Sequence, residues 1–194
     1  MNRTTLITGA VLALSSIGAS PAAASPLAPV PKVDVARYVG SWHQLAAVPA
    51  PFNLQCARDS VATYRVIDAR RISVVNTCTT WAGTTDRVSG TATVTDPRTS
   101  GRLSVRFDGV PGQDAVAGRT NYVVAALAPD YSWAFVGDPA RLSAFVLSRN
   151  ASASPAQWAG FRDTARRLGY NPCTILTSPT TGGQQRIVPL CALP

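Results

Sequence analysis

From residue 41 to residue 149, apolar and polar positions alternate in short runs, interrupted repeatedly by Gly, Pro, Asp and Ser. A period of two sends successive side chains to opposite faces, so such runs read as half-buried β-strands. The pattern predicts strands near 41–48, 59–67, 71–80, 87–95, 101–107, 120–127, 131–136 and 143–149. Turn-forming sequences separate them, among them Asp68-Ala69-Arg70, Asp96-Pro97-Arg98, Asp108-Gly109-Val110-Pro111-Gly112 and Gly137-Asp138-Pro139. Within 102–107, Leu103, Val105 and Phe107 share one face while Arg102, Ser104 and Arg106 share the other, so the apolar trio points inward. After residue 150 the period lengthens. Trp158, Phe161, Ala165 and Leu168 recur at spacings of three and four, behind Ser154 as N-cap and Pro155 at the first helical position, and Gly169 stops the run. This predicts one amphipathic helix over 155–169. Beyond it, two apolar segments flank Thr180-Thr181-Gly182-Gly183 and form a terminal hairpin across 173–191.

Eight short strands and a late helix make an all-β protein whose sheet has two edges to hide. Closure into an eight-stranded antiparallel up-and-down barrel, with the helix packed outside, hides both. A barrel of that size can hold one small ligand. A β-sandwich satisfies the same periodicity and stays open as the alternative.

The chain begins with Arg3, the apolar run Leu6–Ala19 and Ala22-Ala23-Ala24, which read as a signal peptide over 1–24 cleaved before Ser25. A Pro-rich leader follows at 25–35, then a single domain over 36–194. No later apolar run reaches the roughly 18 residues that a membrane-spanning helix needs, and no cysteine precedes Cys56 to carry a lipid, so the expected location is secreted or extracytoplasmic without an anchor. Four cysteines in an exported chain imply two disulfides. A hairpin of 59–67 with 71–80 brings Cys56 opposite Cys78, and the terminal hairpin brings Cys173 opposite Cys191. The formal net charge is +8; all ten acids are Asp, and seventeen of the eighteen bases are Arg. The arginines are scattered rather than clustered, which disfavours nucleic acid as a partner and leaves solubility and a weak attraction to anionic surfaces. Oligomeric state has no signature in the sequence.

His43, the only histidine, lies in Gly40-Ser41-Trp42-His43-Gln44-Leu45-Ala46. A catalytic base needs a serine and an acid converging on it, and no Gly-x-Ser-x-Gly is present. If Trp42 points into a barrel, strand parity sends His43 outward, away from any metal or haem in the interior. No catalytic residue, metal ligand or cofactor is therefore expected. Gln44 and Ala46 share Trp42's parity and should face the cavity.

Three ordered motifs carry a family resemblance. Gly40-x-Trp42 with the following proline-rich loop, the 122–136 strand–turn–strand around Asp130-Tyr131, and the 145–150 strand ending in Arg149, together with a Val-x-Asn pattern at Asn76, resemble the lipocalin family, within it the bacterial, apolipoprotein D-like group. The resemblance implies a calyx that binds and carries or sequesters a small hydrophobic molecule, such as a fatty acid, lysophospholipid, sterol, terpenoid or pigment, without chemistry. It implies that Trp42 closes the barrel's base, with the Arg149 guanidinium stacked on its indole. By motif position Tyr64, Tyr122 and Phe145 look like calyx-lining aromatics, joining Val105, Phe107 and Gln44 as the expected ligand contacts, with Arg65, Arg106 or Arg119 near an anionic headgroup. Some relatives tie an early strand to the C-terminal tail, which raises Cys56–Cys191 with Cys78–Cys173 as the other connectivity. Two further functions fit the same composition: an isomerase or hydrolase acting on a lipid in the cavity, and a basic envelope- or host-binding protein whose barrel is filled by side chains.

Overall fold

The computed structural model describes residues 25–193, so the expected signal peptide lies outside the described residues. Eight strands run in chain order: β1 Gly40–Ala47, β2 Cys56–Val66, β3 Arg71–Thr80, β4 Thr85–Val94, β5 Arg102–Phe107, β6 Tyr122–Leu127, β7 Trp133–Gly137 and β8 Ala144–Ser148. Each is antiparallel to the next, and β1 pairs with β2 on one side and β8 on the other, so the sheet closes into a barrel rather than splitting into a sandwich. A two-residue strand, β9 Leu176–Thr177, lies beside the second half of β1. In the 173–191 segment this strand bridges to Pro189, and 3₁₀ turns occupy much of the rest.

The strands differ in pattern because their outer faces meet different surroundings. In β3 the even positions Ile72, Val74 and Cys78 are buried while the odd positions remain partly or fully exposed. Strands β6, β7 and β8 are apolar on both faces: Val124, Val136 and Leu147 turn inward, while Val123, Phe135 and Val146 turn outward beneath a helix. That helix, α2 Pro155–Arg167, starts at a capping box in which Ser154 and Gln157 satisfy each other's backbone N–H groups. Trp158, Phe161 and Ala165 form its buried stripe. Two cores result, one inside the barrel and one between the barrel and α2.

Residues 25–33, which in sequence read as a leader, lie along the barrel. Leu27 donates to the Pro139 carbonyl at 3.0 Å and Val30 to that of Val124 at 2.8 Å, and Leu27 joins the outer core while Val33 joins the inner one. One turn of helix, α1 Val35–Tyr38, follows under an Asp34 N-cap. It covers the end of the barrel where β1 begins. The loops 48–55, 81–84, 108–121 and 138–143 surround the opposite, open end.

Two disulfides, Cys56–Cys78 and Cys173–Cys191, join Cα atoms 5.6 and 4.9 Å apart, and no free cysteine remains among the described residues. The first ties β2 to β3 at the open end. The second pins the segment after α2 to the C-terminal turn.

Candidate functional site

The base of the barrel is built on Trp42, fully buried, whose indole N–H donates to the Tyr38 carbonyl at 2.8 Å. The Arg149 guanidinium lies 3.7 Å from the indole ring centre. Its Nη2 donates to the carbonyls of Arg37, Tyr38 and Val39 at 2.9–3.1 Å and its Nη1 to that of Ser41 at 2.9 Å. One planar cation thus holds α1 and the start of β1 against the end of β8. Gly40 is fixed twice over: its φ of +102° is a backbone conformation side chains rarely adopt, and a Cβ there would sit 3.1 Å from Arg149 Nη1.

Above Trp42 three tyrosines converge. The Tyr38 hydroxyl meets that of Tyr122 at 2.7 Å, and Tyr122 meets Tyr64 at 3.2 Å. The Tyr38 ring stacks on Tyr64 at 5.9 Å, with Tyr122 edge-on at 6.5 Å. Burial pushes Tyr64 up to about 12 and holds Tyr38 and Tyr122 well above the ordinary phenol value, so all three hydroxyls stay protonated through the neutral range.

Higher up, the wall carries Val105, Phe107 and Phe145, which pack on the same inner core yet remain only half-buried. Five of the six residues expected to meet a ligand, Tyr64, Val105, Phe107, Tyr122 and Phe145, therefore share the barrel's interior. The sixth, Gln44, pairs with the inward-facing Leu147, and nearer the mouth its amide donates to Ser178 Oγ at 2.8 Å and lines a cleft of about 200 Å³. Ala46 does not share its face, because a bulge between Gln44 and Ala46 breaks the parity of β1 and turns Ala46 to the outer core. His43 sits on the outer face, opposite Val61 and Ser148. Arg65, Arg106 and Arg119 are exposed, with Arg106 and Phe107 both lining a second cavity of about 510 Å³ under the 108–113 loop.

A lipocalin-like domain model matches residues 33–180. The chain belongs to the lipocalin family. It is 29% identical to temperature-induced lipocalin-1 of Arabidopsis thaliana over 149 residues, covering 76% of this chain and 79% of that protein. Among solved structures it resembles insecticyanin from the tobacco hornworm Manduca sexta, with a TM-score of 0.56 at 14% identity over 88% of this chain and 96% of that one. Lobster apocrustacyanin A1 gives 0.54 at 16% identity over 74% and 77%. These structural likenesses concern the fold.

Three residues of this lipocalin's interior were not singled out from the sequence as site residues. Tyr38 enters the phenol cluster because α1 turns it onto Trp42, four residues ahead. Asn121 repairs a gap in the wall: its side-chain amide exchanges hydrogen bonds of 2.8 and 2.9 Å with the backbone of Val105, standing in for a strand residue where β5 and β6 separate. Asn76 occupies the inward register of β3, between Ala62 on β2 and Val88 on β4, and its Oδ1 is buried without a hydrogen-bond partner. Its signal in the sequence was a polar residue at inward parity between Val74 and Cys78. Among the described residues no group of His, Cys, Asp and Glu could hold a metal ion, and no helix is long and apolar enough to cross a membrane.

Proposed function

We propose that this lipocalin binds a small, mostly hydrophobic molecule in the upper half of its barrel and carries or sequesters it without chemistry. The supporting observation is that Val105, Phe107 and Phe145 pack on the barrel's inner core yet remain only half-buried. Apolar side chains that a protein leaves uncovered inside its own wall are a surface for something else to cover. Covering it is worth about 2.5 kcal/mol per 100 Å² of apolar area removed from water. Leu54, Trp81 and Ile187, at 70, 69 and 50% exposure, ring the mouth cleft and give an apolar molecule a path inward.

A binding role rather than catalysis fits the acids and thiols. Asp34, Asp68, Asp96, Asp130 and Asp138 are engaged in caps and turns, and the four cysteines are paired. Export through the 1–24 segment, and a place in the bacterial, apolipoprotein D-like group, belong to the same proposal. Native mass spectrometry of freshly purified protein, followed by organic extraction and by tryptophan-fluorescence titration with lipids and pigments, tests it. A copurified apolar molecule or saturable quenching is expected. An empty barrel that no member of the panel quenches would refute the carrier and favour a basic interaction protein.

A further inference from the structure

Resting on that reading, we infer that the ligand is a neutral amphiphile whose polar group donates a hydrogen bond, an alcohol or a secondary amide rather than a carboxylate or a plain hydrocarbon, and that Asn76 Oδ1 is its acceptor. Four observations converge on this. Asn76 shares the inward face of β3 with Ile72, Val74 and Cys78, and its directly paired neighbour Ala62 also packs on the inner core. Its Oδ1 is buried and unpartnered. A buried amide oxygen left without a donor is costly, and native proteins seldom retain one except where something other than the protein completes it.

On the β2 side the amide is flanked by a small residue. In the ladder row that contains Asn76 the neighbour on β2 is Ala62, and in the next row, where Tyr64 pairs with Val74 and Phe107 with Gly90, the β4 position between them is Gly90. The β5 backbone at Arg106 fills the place of a Gly90 side chain, and Val88 stands beside the amide on β4, so its small neighbour is Ala62 on β2. The third observation is a count of protons. The Tyr38, Tyr64 and Tyr122 hydroxyls carry three protons and share two mutual hydrogen bonds, so one phenolic O–H is left to donate. The interior therefore offers one spare acceptor and one spare donor, both on neutral groups. A hydroxyl or secondary amide satisfies such a pair, whereas an ether or ester can only accept.

The fourth observation concerns charge. Arg65, Arg106 and Arg119, the cations that an anionic headgroup would need, are exposed. The groups that line the interior near Asn76 are neutral apart from Asp86, which pairs with Cys78 in the register and accepts from Gln55 Nε2 at 3.2 Å. The cation nearest the deep interior, Arg149, already commits its guanidinium to four backbone carbonyls and the Trp42 face, and Asp86 adds a negative charge toward the mouth, so a carboxylate in this cup would lose its hydration without a charge-assisted hydrogen bond to replace it.

Matched probes separate the alternatives: dodecan-1-ol, its methyl ether and dodecanoate, titrated against tryptophan fluorescence of the wild-type protein and of Asn76→Leu. The ratio of ether to alcohol dissociation constants should fall roughly three- to tenfold in Asn76→Leu, the value of one hydrogen bond, while ether affinity changes little. Taking the ratio within each protein cancels the difference in hydration between the probes. Dodecanoate should bind most weakly. If Asn76→Leu does not fold, Ala62→Val, which crowds the amide, should lower the same ratio. Saturable binding of both probes with a ratio unchanged by either variant, or tightest binding of dodecanoate, overturns the inference and leaves the carrier reading standing. No saturable binding of any probe overturns the inference, and the carrier reading falls with it only where the lipid and pigment panel also fails to bind.

Discussion

At the scale of single residues, Arg149 concentrates more interactions than any sequence rule assigns to a strand-ending arginine. The stacked indole is worth about 1–2 kcal/mol when shielded from water, and each hydrogen bond from a charged donor about 1.5–3 kcal/mol net. Burial lowers the guanidinium's pKa, with Tyr38 and Tyr64 opposing that effect. Arg149→Ala should therefore destabilise the protein by roughly 3–5 kcal/mol, read as a lower urea midpoint. Arg149→Lys should recover only part of this, because an ammonium cannot fork across four carbonyls. The pairing of Gly40, Trp42 and Arg149 was legible through the family resemblance of their motifs, and the positive φ, the buried indole and the planar cation give its physical reason. Asn76 and Asn121 were not, since an asparagine's role depends on what it faces, and a single strand does not state that.

At the scale of elements, the position of α2 explains why strand periodicity fades after residue 120. The helix removes the outer faces of β6 to β8 from water, so both parities become apolar and alternation loses its information. Phe161, 2% exposed and edge-on to both Trp133 and Trp158 at 5.3 and 5.7 Å, is the centre of that contact. Phe161→Ala should cost roughly 3–5 kcal/mol in denaturant unfolding. Arg166→Ala, on the exposed side of the same helix and paired with Asp163 at 3.0 Å, should shift stability by less than about 0.5 kcal/mol. The strands and the helix were legible from period and caps. The bulge at Gln44–Ala46 was not, because it depends on β1 changing partners midway, a tertiary event that reverses the face of Ala46.

At the scale of the molecule, the phenol cluster couples the barrel's interior to alkaline pH. The folded pKa of Tyr64 is about 12 against an unfolded value near 10. Below the unfolded value both states are protonated and the stability is intact. Between the two values the unfolded chain has lost a proton that the folded one retains, so stability falls as pH rises through this window. Tyr38 and Tyr122 move in the same direction by burial, and Tyr170, raised by burial and by Asp138, adds to them. Cooperative alkaline unfolding should begin above about pH 10, with tyrosinate absorbance and loss of far-UV circular dichroism rising together. Ionisation of the buried phenols well before the dichroism changes would count against their burial.

The tail beyond α2 is part of the barrel wall. Ser178 donates to Leu45 at 2.8 Å, Asp59 N–H donates to Pro179 at 2.9 Å, and the Asp59 carboxylate takes both the N–H and the hydroxyl of Thr181, so residues 176–181 bridge the upper ends of β1 and β2. Those hydrogen bonds from Thr181, with Arg58 and His43 nearby, outweigh the effect of burial and hold Asp59 below its usual value. A chain cut after the helix would keep all eight barrel strands, yet leave the backbone of β1 bare on one side just where it is most apolar. Unpaired edges of that kind recruit other strands. What residues 176–181 contribute is then a covered flank: they occupy the side of β1 that would otherwise stand open to another strand.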